Sequence, residues 1–223
     1  MTRHIKIAPS LLAADLARAG EQVNAVYQAG ADAIHVDVMD GHFAPNLSFG
    51  PSMVQSLHRV CDIPMFVHLM VTDPLLFFKP FAEAGARGVF FHAELDADLH
   101  DLARRARALG LAAGVALEMA TPAERVADLA GEIDAVVVMT VACGYWGQKL
   151  HLEPLKKLPV LRRAFGDGVE IVVDGGVEPG NAGRVAAAGA DVLVSGAGVF
   201  GTDDFGRAIR ALRTAAEAAL ERP

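Results

Sequence analysis

The chain has 223 residues, 52% of them hydrophobic, and a formal net charge of −7, with a pI near 5.6 and a mean hydropathy of +0.32. That length and apolar content suit one large domain, 1–223, with a sizeable core. The acidic balance and scattered lysines and arginines exclude a nucleic-acid binder working through a basic stripe, and no apolar run reaches the ~18 residues of a membrane span.

Cys61 and Cys143 lie far apart and show no paired metal spacing, so a reducing cytoplasm is expected rather than a disulfide framework. The opening MTRHIKIAPSLLAADLARAG does not read as a signal peptide.

In chain order, short runs rich in β-branched residues alternate with alanine-rich helical stretches. The runs are IKIAPSLL (5–12), AIHVDVMD (33–40), PMFVHLMV (64–71), GVFFHAEL (88–95), LAAGVALEM (111–119), AVVVMTVA (135–142), VEIVVDGGV (169–177) and VLVSGAGVF (192–200), starting roughly every 27 residues. Helices are predicted over 17–31, 75–86, 97–110 and 179–190, with a terminal helix that frays at Pro223. Three helical stretches end in Ala-Gly-Ala (Ala29–Ala31, Ala84–Ala86, Ala188–Ala190), where the glycine suits a left-handed cap before the next strand. Alternating strand and helix implies parallel strands with right-handed crossovers. Eight such units predict an α/β protein, a closed (β/α)8 TIM barrel. An open doubly wound sheet suits fewer units, and no G-x-G-x-x-G follows the first strand.

Active sites of such barrels lie at the carboxyl ends of the strands. Ser10 falls there on the first run, His35 and Asp37 on the second, His68 on the third and Asp174 on the seventh. His35 and Asp37 are two apart, so both face the barrel interior while Val36 and Val38 face the helices. Histidine and aspartate are costly to bury unless paired or bound to metal. Two imidazoles and two carboxylates suit one divalent ion, leaving zinc, iron(II), manganese and cobalt all open. Such an ion can polarise a carbonyl and stabilise an enediolate, and two carboxylates on opposite faces can then invert the adjacent stereocentre. Met39, Met70 and Met139 follow the same strands and read equally as core filling or as site lining.

The segments IAPSLLAADLARAGEQV, IHVDVMDGHFAPNLSFGP, VHLMV, HAE, VVDGGV and SGAGVFG resemble the ribulose-phosphate 3-epimerase family over nearly the whole chain. The resemblance implies a ribulose-phosphate-binding barrel that interconverts D-ribulose 5-phosphate and D-xylulose 5-phosphate in the pentose phosphate pathway. It implies His35, Asp37, His68 and Asp174 as metal ligands, Asp37 and Asp174 as the acid/base pair, and Ser10, His68, Met39, Met70 and Met139 around the substrate. Backbone at Gly144, Gly147, Gly175, Gly176, Gly196 and Ala197 is expected at the phosphate end.

That end departs from the family pattern. TVACGYWGQ (140–148) stands where S-V-N-P-G-F-G-G-Q is usual, SGAG (195–198) where A-G-S-A is usual, and LEM (117–119) where L-N-P is usual. A related ketose phosphate, such as D-allulose 6-phosphate, is therefore an alternative substrate, and a sugar-phosphate-binding barrel without turnover is a second alternative. Trp146 reads as narrowing the mouth or stacking over the ligand, or equally as packing against a neighbouring loop or subunit. Cys143 is not expected to act as a nucleophile, and Glu118 is expected to face solvent or a salt bridge. His92 and Glu94 share a face of the fourth run and either enter the site or, as the favoured reading, form an internal hydrogen-bonded pair, and His42 is expected to shape the loop DGHFAPN. A homo-oligomer is expected from apolar loops such as FAPNLSF.

Overall fold

The computed structural model describes residues 4–221, so the expected fraying at Pro223 lies outside the described residues. Eight strands fall inside the eight expected runs: β1 (Lys6–Pro9), β2 (Ile34–Met39), β3 (Met65–Met70), β4 (Gly88–His92), β5 (Ala112–Leu117), β6 (Ala135–Met139), β7 (Glu170–Asp174) and β8 (Val192–Ser195). They form one parallel sheet in the order β1-β8-β7-β6-β5-β4-β3-β2. A parallel bridge between Ser10 and His35 brings β1 round to β2, which makes the sheet a (β/α)8 barrel.

The helices are α1 (Ala19–Gln28), α2 (Pro51–His58), α3 (Leu75–Glu83), α4 (Leu99–Ala108), α5 (Leu158–Phe165), α6 (Pro179–Ala188), α7 (Ala197–Phe200) and α8 (Phe205–Leu220). The crossover after β5 is instead a 3-10 helix, Ala123–Leu129. Its buried residues, Ala123, Val126 and Leu129, recur every third position, which matches three residues per turn and not 3.6. The Ala-Gly-Ala glycines take positive φ, with Gly30 at 91° and Gly85 at 94°. At Gly85 a Cβ would also lie 2.5 Å from the His58 ring, so two constraints coincide there.

The strands separate two apolar layers. Val36, Val38, Val67, Leu69, Val89 and Phe91 pack outward against the helices, while Ala8, Phe90, Ala116, Val137, Met139 and Val172 fill the interior. Phe90 plugs the barrel beneath the mouth, parallel to Phe66 with ring centres 5.6 Å apart and 6.0 Å from the His35 ring. Gly114 on β5 leaves room for it, since a Cβ there would lie 2.3 Å from the Phe90 ring.

Three aspartates tie strand starts together at the opposite end. Asp32 accepts from Ile7 N–H at 2.7 Å, Asp134 from Ala113 N–H at 2.9 Å and Asp191 from Ile171 N–H at 2.7 Å. Arg213 and Arg162 neutralise the first and last of these. Two of the three follow the Ala-Gly-Ala phrase directly, so one sequence device ends a helix and anchors the next strand.

Candidate active site

Period-two alternation along β2, β3 and β7 points His35, Asp37, His68 and Asp174 into the carboxyl end of the barrel, where all four are buried. His35 Nε2 lies 3.3 Å from Asp37 Oδ1 and 3.2 Å from Asp174 Oδ2. His68 Nδ1 lies 3.4 and 3.3 Å from the same two oxygens, and the two ring nitrogens are 3.2 Å apart. Each nitrogen thus has three neighbours at nearly equal distance, and one ring proton cannot point at all three. A cation at their common centre can be shared by all four donors. Donors bound at about 2.0–2.1 Å in a tetrahedron stand roughly 3.3–3.4 Å from one another, so the spacing and chemistry of this set fit a divalent ion.

The electrostatics agree with a cation-seeking site. Burial pushes the His35 imidazolium down, but Asp37 and Asp174 outweigh it and bring His35 up to about 10. Burial likewise lowers His68, and hydrogen bonds to Asp174 and Asp37 more than offset it. Burial raises both aspartates, yet His35 and His68 hold Asp37 and Asp174 below the usual carboxylate range. Both carboxylates are therefore anionic at neutral pH. The second Asp37 oxygen, Oδ2, accepts from the Ser10 hydroxyl at 2.6 Å. Ser48 fixes the backbone of the same segment, donating to Asp37 O at 2.6 Å and accepting from Met39 N–H at 3.0 Å.

Above the cluster opens a cavity of about 570 Å³. Ser10, Asp37, Asp174 and the three methionines Met39, Met70 and Met139 form its floor and sides, and Gly144, Gly147, Gly175, Gly176, Gly196 and Ala197 form the far wall. His68 is fully enclosed and lies behind this lining. Gly176 shows why that wall is glycine: its φ is +66°, and a Cβ would meet Leu150 N at 2.4 Å. Thr140 supports the wall, its hydroxyl 2.9 Å from Asp174 O and 2.6 Å from Gly175 O.

The loop after β6 is tied to the loop after β2. The Tyr145 hydroxyl donates to Pro45 O at 2.9 Å, and Asn46 Nδ2 donates to Gly144 O at 2.8 Å. Gln148 closes the loop on itself through Ala142 O and Tyr145 O. Trp146 is 61% exposed and stands at the cavity mouth. In the DGHFAPN loop, His42 and Phe43 N–H groups donate to Asp40 Oδ1 at 2.8 and 2.9 Å, and Thr72 donates to Oδ2.

His92 and Glu94 do form a pair, with His92 Nδ1 3.0 Å from Glu94 Oε2. Burial lowers His92, whereas in Glu94 burial is outweighed by bonds from His92, Thr121 and Glu118, and the carboxyl falls to about 2. The pair is internal as expected, yet it also reaches the cluster, the alternative that the sequence favoured less: His92 Nε2 lies 2.9 Å from His68 Nε2. The period-two rule that paired His35 with Asp37 applied to His92-Ala93-Glu94 as well, but nothing in the sequence linked it to His68. Ser48, Thr140 and Asn46 carried no sequence signal, because their partners are backbone atoms brought in by the fold.

Glu118 departs from expectation. Its carboxylate turns inward to group with His92 and Cys143, while its main chain is held by Glu94 and by Lys157 Nζ at 2.5 Å. Burial, and then the Glu118 carboxylate, push the Cys143 thiol far up, so it is no thiolate nucleophile.

A (β/α)8 barrel with two imidazoles and two carboxylates converging beneath its mouth belongs to the barrels equipped with a divalent-metal donor set. Comparisons with known proteins narrow that class. The model of the ribulose-phosphate 3 epimerase family matches residues 6–200. The chain is 43% identical to the ribulose-phosphate 3-epimerase of Rhodobacter capsulatus, over 98% of each chain. It is 40% identical to that of Bacillus subtilis, over 94% of this chain and 98% of the relative. Among solved structures, 3-hexulose-6-phosphate synthase from Salmonella typhimurium superposes with a TM-score of 0.73 at 17% identity, covering 96% of this chain and all of that one, which shows the shared fold. The chain belongs to the ribulose-phosphate 3-epimerase family.

Proposed function

We propose that this protein epimerises ribulose 5-phosphate to xylulose 5-phosphate at C3 through a two-carboxylate proton transfer. The observation that carries the reading is the meeting of Asp37 and Asp174, each within 3.4 Å of both His35 and His68, on the floor of a cavity in a chain of this family. His35, Asp37, His68 and Asp174 would hold one divalent ion, with zinc, iron(II), manganese and cobalt all compatible with the donors. When bound, that ion supplies positive charge against which an enediolate is stabilised.

The protein's own groups do the rest. Asp37 and Asp174 project from β2 and β7, so they approach a substrate lying between them from different sides. One takes the C3 proton and the other returns a proton to the opposite face, which inverts the centre without redox chemistry. The Ser10 hydroxyl holds Asp37 Oδ2, leaving Oδ1 turned to the cluster. Met39, Met70 and Met139 line the reacting carbons with apolar, polarisable surface and keep water away. The phosphate lies toward Gly144, Gly147, Gly175, Gly176, Gly196 and Ala197, whose missing or short side chains let backbone approach an anion.

The test is exchange of the C3 proton of ribulose 5-phosphate with solvent deuterium by metal-loaded protein, with xylulose 5-phosphate as product. The exposed Trp146 at the mouth favours comparing a ketohexose phosphate such as allulose 6-phosphate. Exchange there and none on ribulose 5-phosphate would move the assignment to that sugar. No exchange on any ketose phosphate, together with less than about one bound metal, would leave a sugar-phosphate binder.

The chain is further proposed to act as a single domain, in the cytoplasm, as a homo-oligomer. No described helix is long and apolar enough to cross a membrane, and both cysteines are free. Leu47 and Leu76 are 74% and 66% exposed, apolar surface suited to contact with a second copy.

A further inference from the structure

The donor set uses Nδ1 of His68 and leaves the other edge of that ring to be explained. His68 Nε2 faces His92 Nε2 at 2.9 Å, and His92 Nδ1 faces Glu94 Oε2 at 3.0 Å. The two ring planes differ by only 16° with centres 5.0 Å apart. The nitrogens therefore meet edge to edge, nearly in both ring planes, where an N–H or a lone pair points. Both rings are fully enclosed, so no solvent completes either one. Phe43 packs on the His92 ring at 4.5 Å, and Glu118 N–H donates to Glu94 Oε1 at 2.9 Å, so both ends of the chain are held.

Proton counting along this chain has one solution when His68 ligates. A His68 that gives its Nδ1 lone pair to a metal keeps its ring proton on Nε2. His92 Nε2 must then accept, which puts the His92 proton on Nδ1, aimed at the Glu94 carboxylate. We infer that His92 and Glu94 are positioning residues that hold His68 in its Nδ1-ligating form and fix the plane of its ring. The inference rests on the metal reading given above. It also assigns the His92 lone pair, so His92, Glu118 and Cys143 do not form a second metal site while this chain is intact. Partners of this kind typically alter metal affinity 10- to 100-fold.

The test compares zinc affinity by chelator competition in the wild type, His92→Phe, His92→Gln and Glu94→Gln, with the thermal midpoint of each metal-free protein. The glutamine at 92 can return a carbonyl acceptor near the former Nε2, whereas phenylalanine cannot. The expected result is zinc binding weakened about 10- to 100-fold in His92→Phe. Glu94→Gln should fall between that variant and the wild type, and His92→Gln should recover most of the loss. Nitrogen-15 spectra of zinc-loaded wild type should show His92 with its proton on Nδ1, the less common form of a neutral imidazole. That measurement decides even if His92→Phe does not fold. Unchanged zinc affinity in His92→Phe, no recovery in His92→Gln, or a His92 proton on Nε2 would each overturn the assignment. If these occur while the wild type binds zinc and epimerises, only the positioning role falls. A wild type that binds no divalent ion removes both readings.

Discussion

Asp174 carries the sharpest expectation among single residues. Asp174→Asn keeps the shape of the side chain but removes a proton acceptor, and general acid–base groups of this kind contribute about 10²–10⁴-fold. We expect kcat/KM for ribulose 5-phosphate to drop by about three orders of magnitude, with an unchanged circular dichroism spectrum. Epimerisation near the wild-type rate would take Asp174 out of the mechanism. Asp40 makes a separate prediction, about stability. Burial raises its carboxyl, but the N–H groups of Thr72, His42 and Phe43 and the Thr72 hydroxyl outweigh burial and bring it down to about 2, from an ordinary 3.8. A carboxyl lowered on folding stabilises the fold above its unfolded value, and the contribution fades as pH falls through its folded value. Asp40→Asn should therefore be less stable than wild type at pH 6, by about 1 kcal/mol, and the difference should shrink as pH falls from about 4 through about 2. Denaturant midpoints at several pH values measure it; a gap independent of pH would exclude the charge as its source.

Among the elements, β5 and the loop after β6 show how packing limits substitution. Gly114 on β5 sits against Phe90, and a methyl group there would lie 2.3 Å from the ring and 3.1 Å from Ala135 O. Gly114→Ala should cost about 1–3 kcal/mol, read from thermal or urea unfolding. It should also disturb metal binding, because Phe90 lies directly beneath His35. A neutral result would mean that Phe90 can turn aside at no cost. The loop after β6 was the least typical stretch of the sequence, and its departures have a structural role. Tyr145 reaches Pro45 through its hydroxyl, and Cys143 fills space near His92. Trp146 is left exposed at the mouth, while Ala142 and Cys143 line the cavity itself.

At the scale of the whole molecule, a closed sheet with an interior layer and an outer layer should unfold as one unit. Calorimetry is expected to show a single transition; two resolved transitions would contradict a single domain. Removing metal with a chelator should lower the midpoint, since a ligand present at a hundred times its Kd adds about 2.7 kcal/mol to the folded state. Light scattering should report a mass above 23.5 kDa, and a monomer would remove the oligomer proposal.

The eight strands, their parallel order and the placement of His35, Asp37, His68 and Asp174 were legible in the sequence, because alternation with a period of two and the helix–strand rhythm are local properties of the chain. The family resemblance rested on those same residues. The tertiary structure decided what depends on distance between segments remote in sequence. It brought β2, β3 and β7 together so that four donors share one centre, and it placed His92 on β4 within 2.9 Å of His68 on β3. It turned Glu118 inward and set Tyr145 against Pro45, one hundred residues away. Such contacts are fixed by closure of the barrel, which positions side chains from different strands on one rim, and no local pattern in a single strand records which of them will touch.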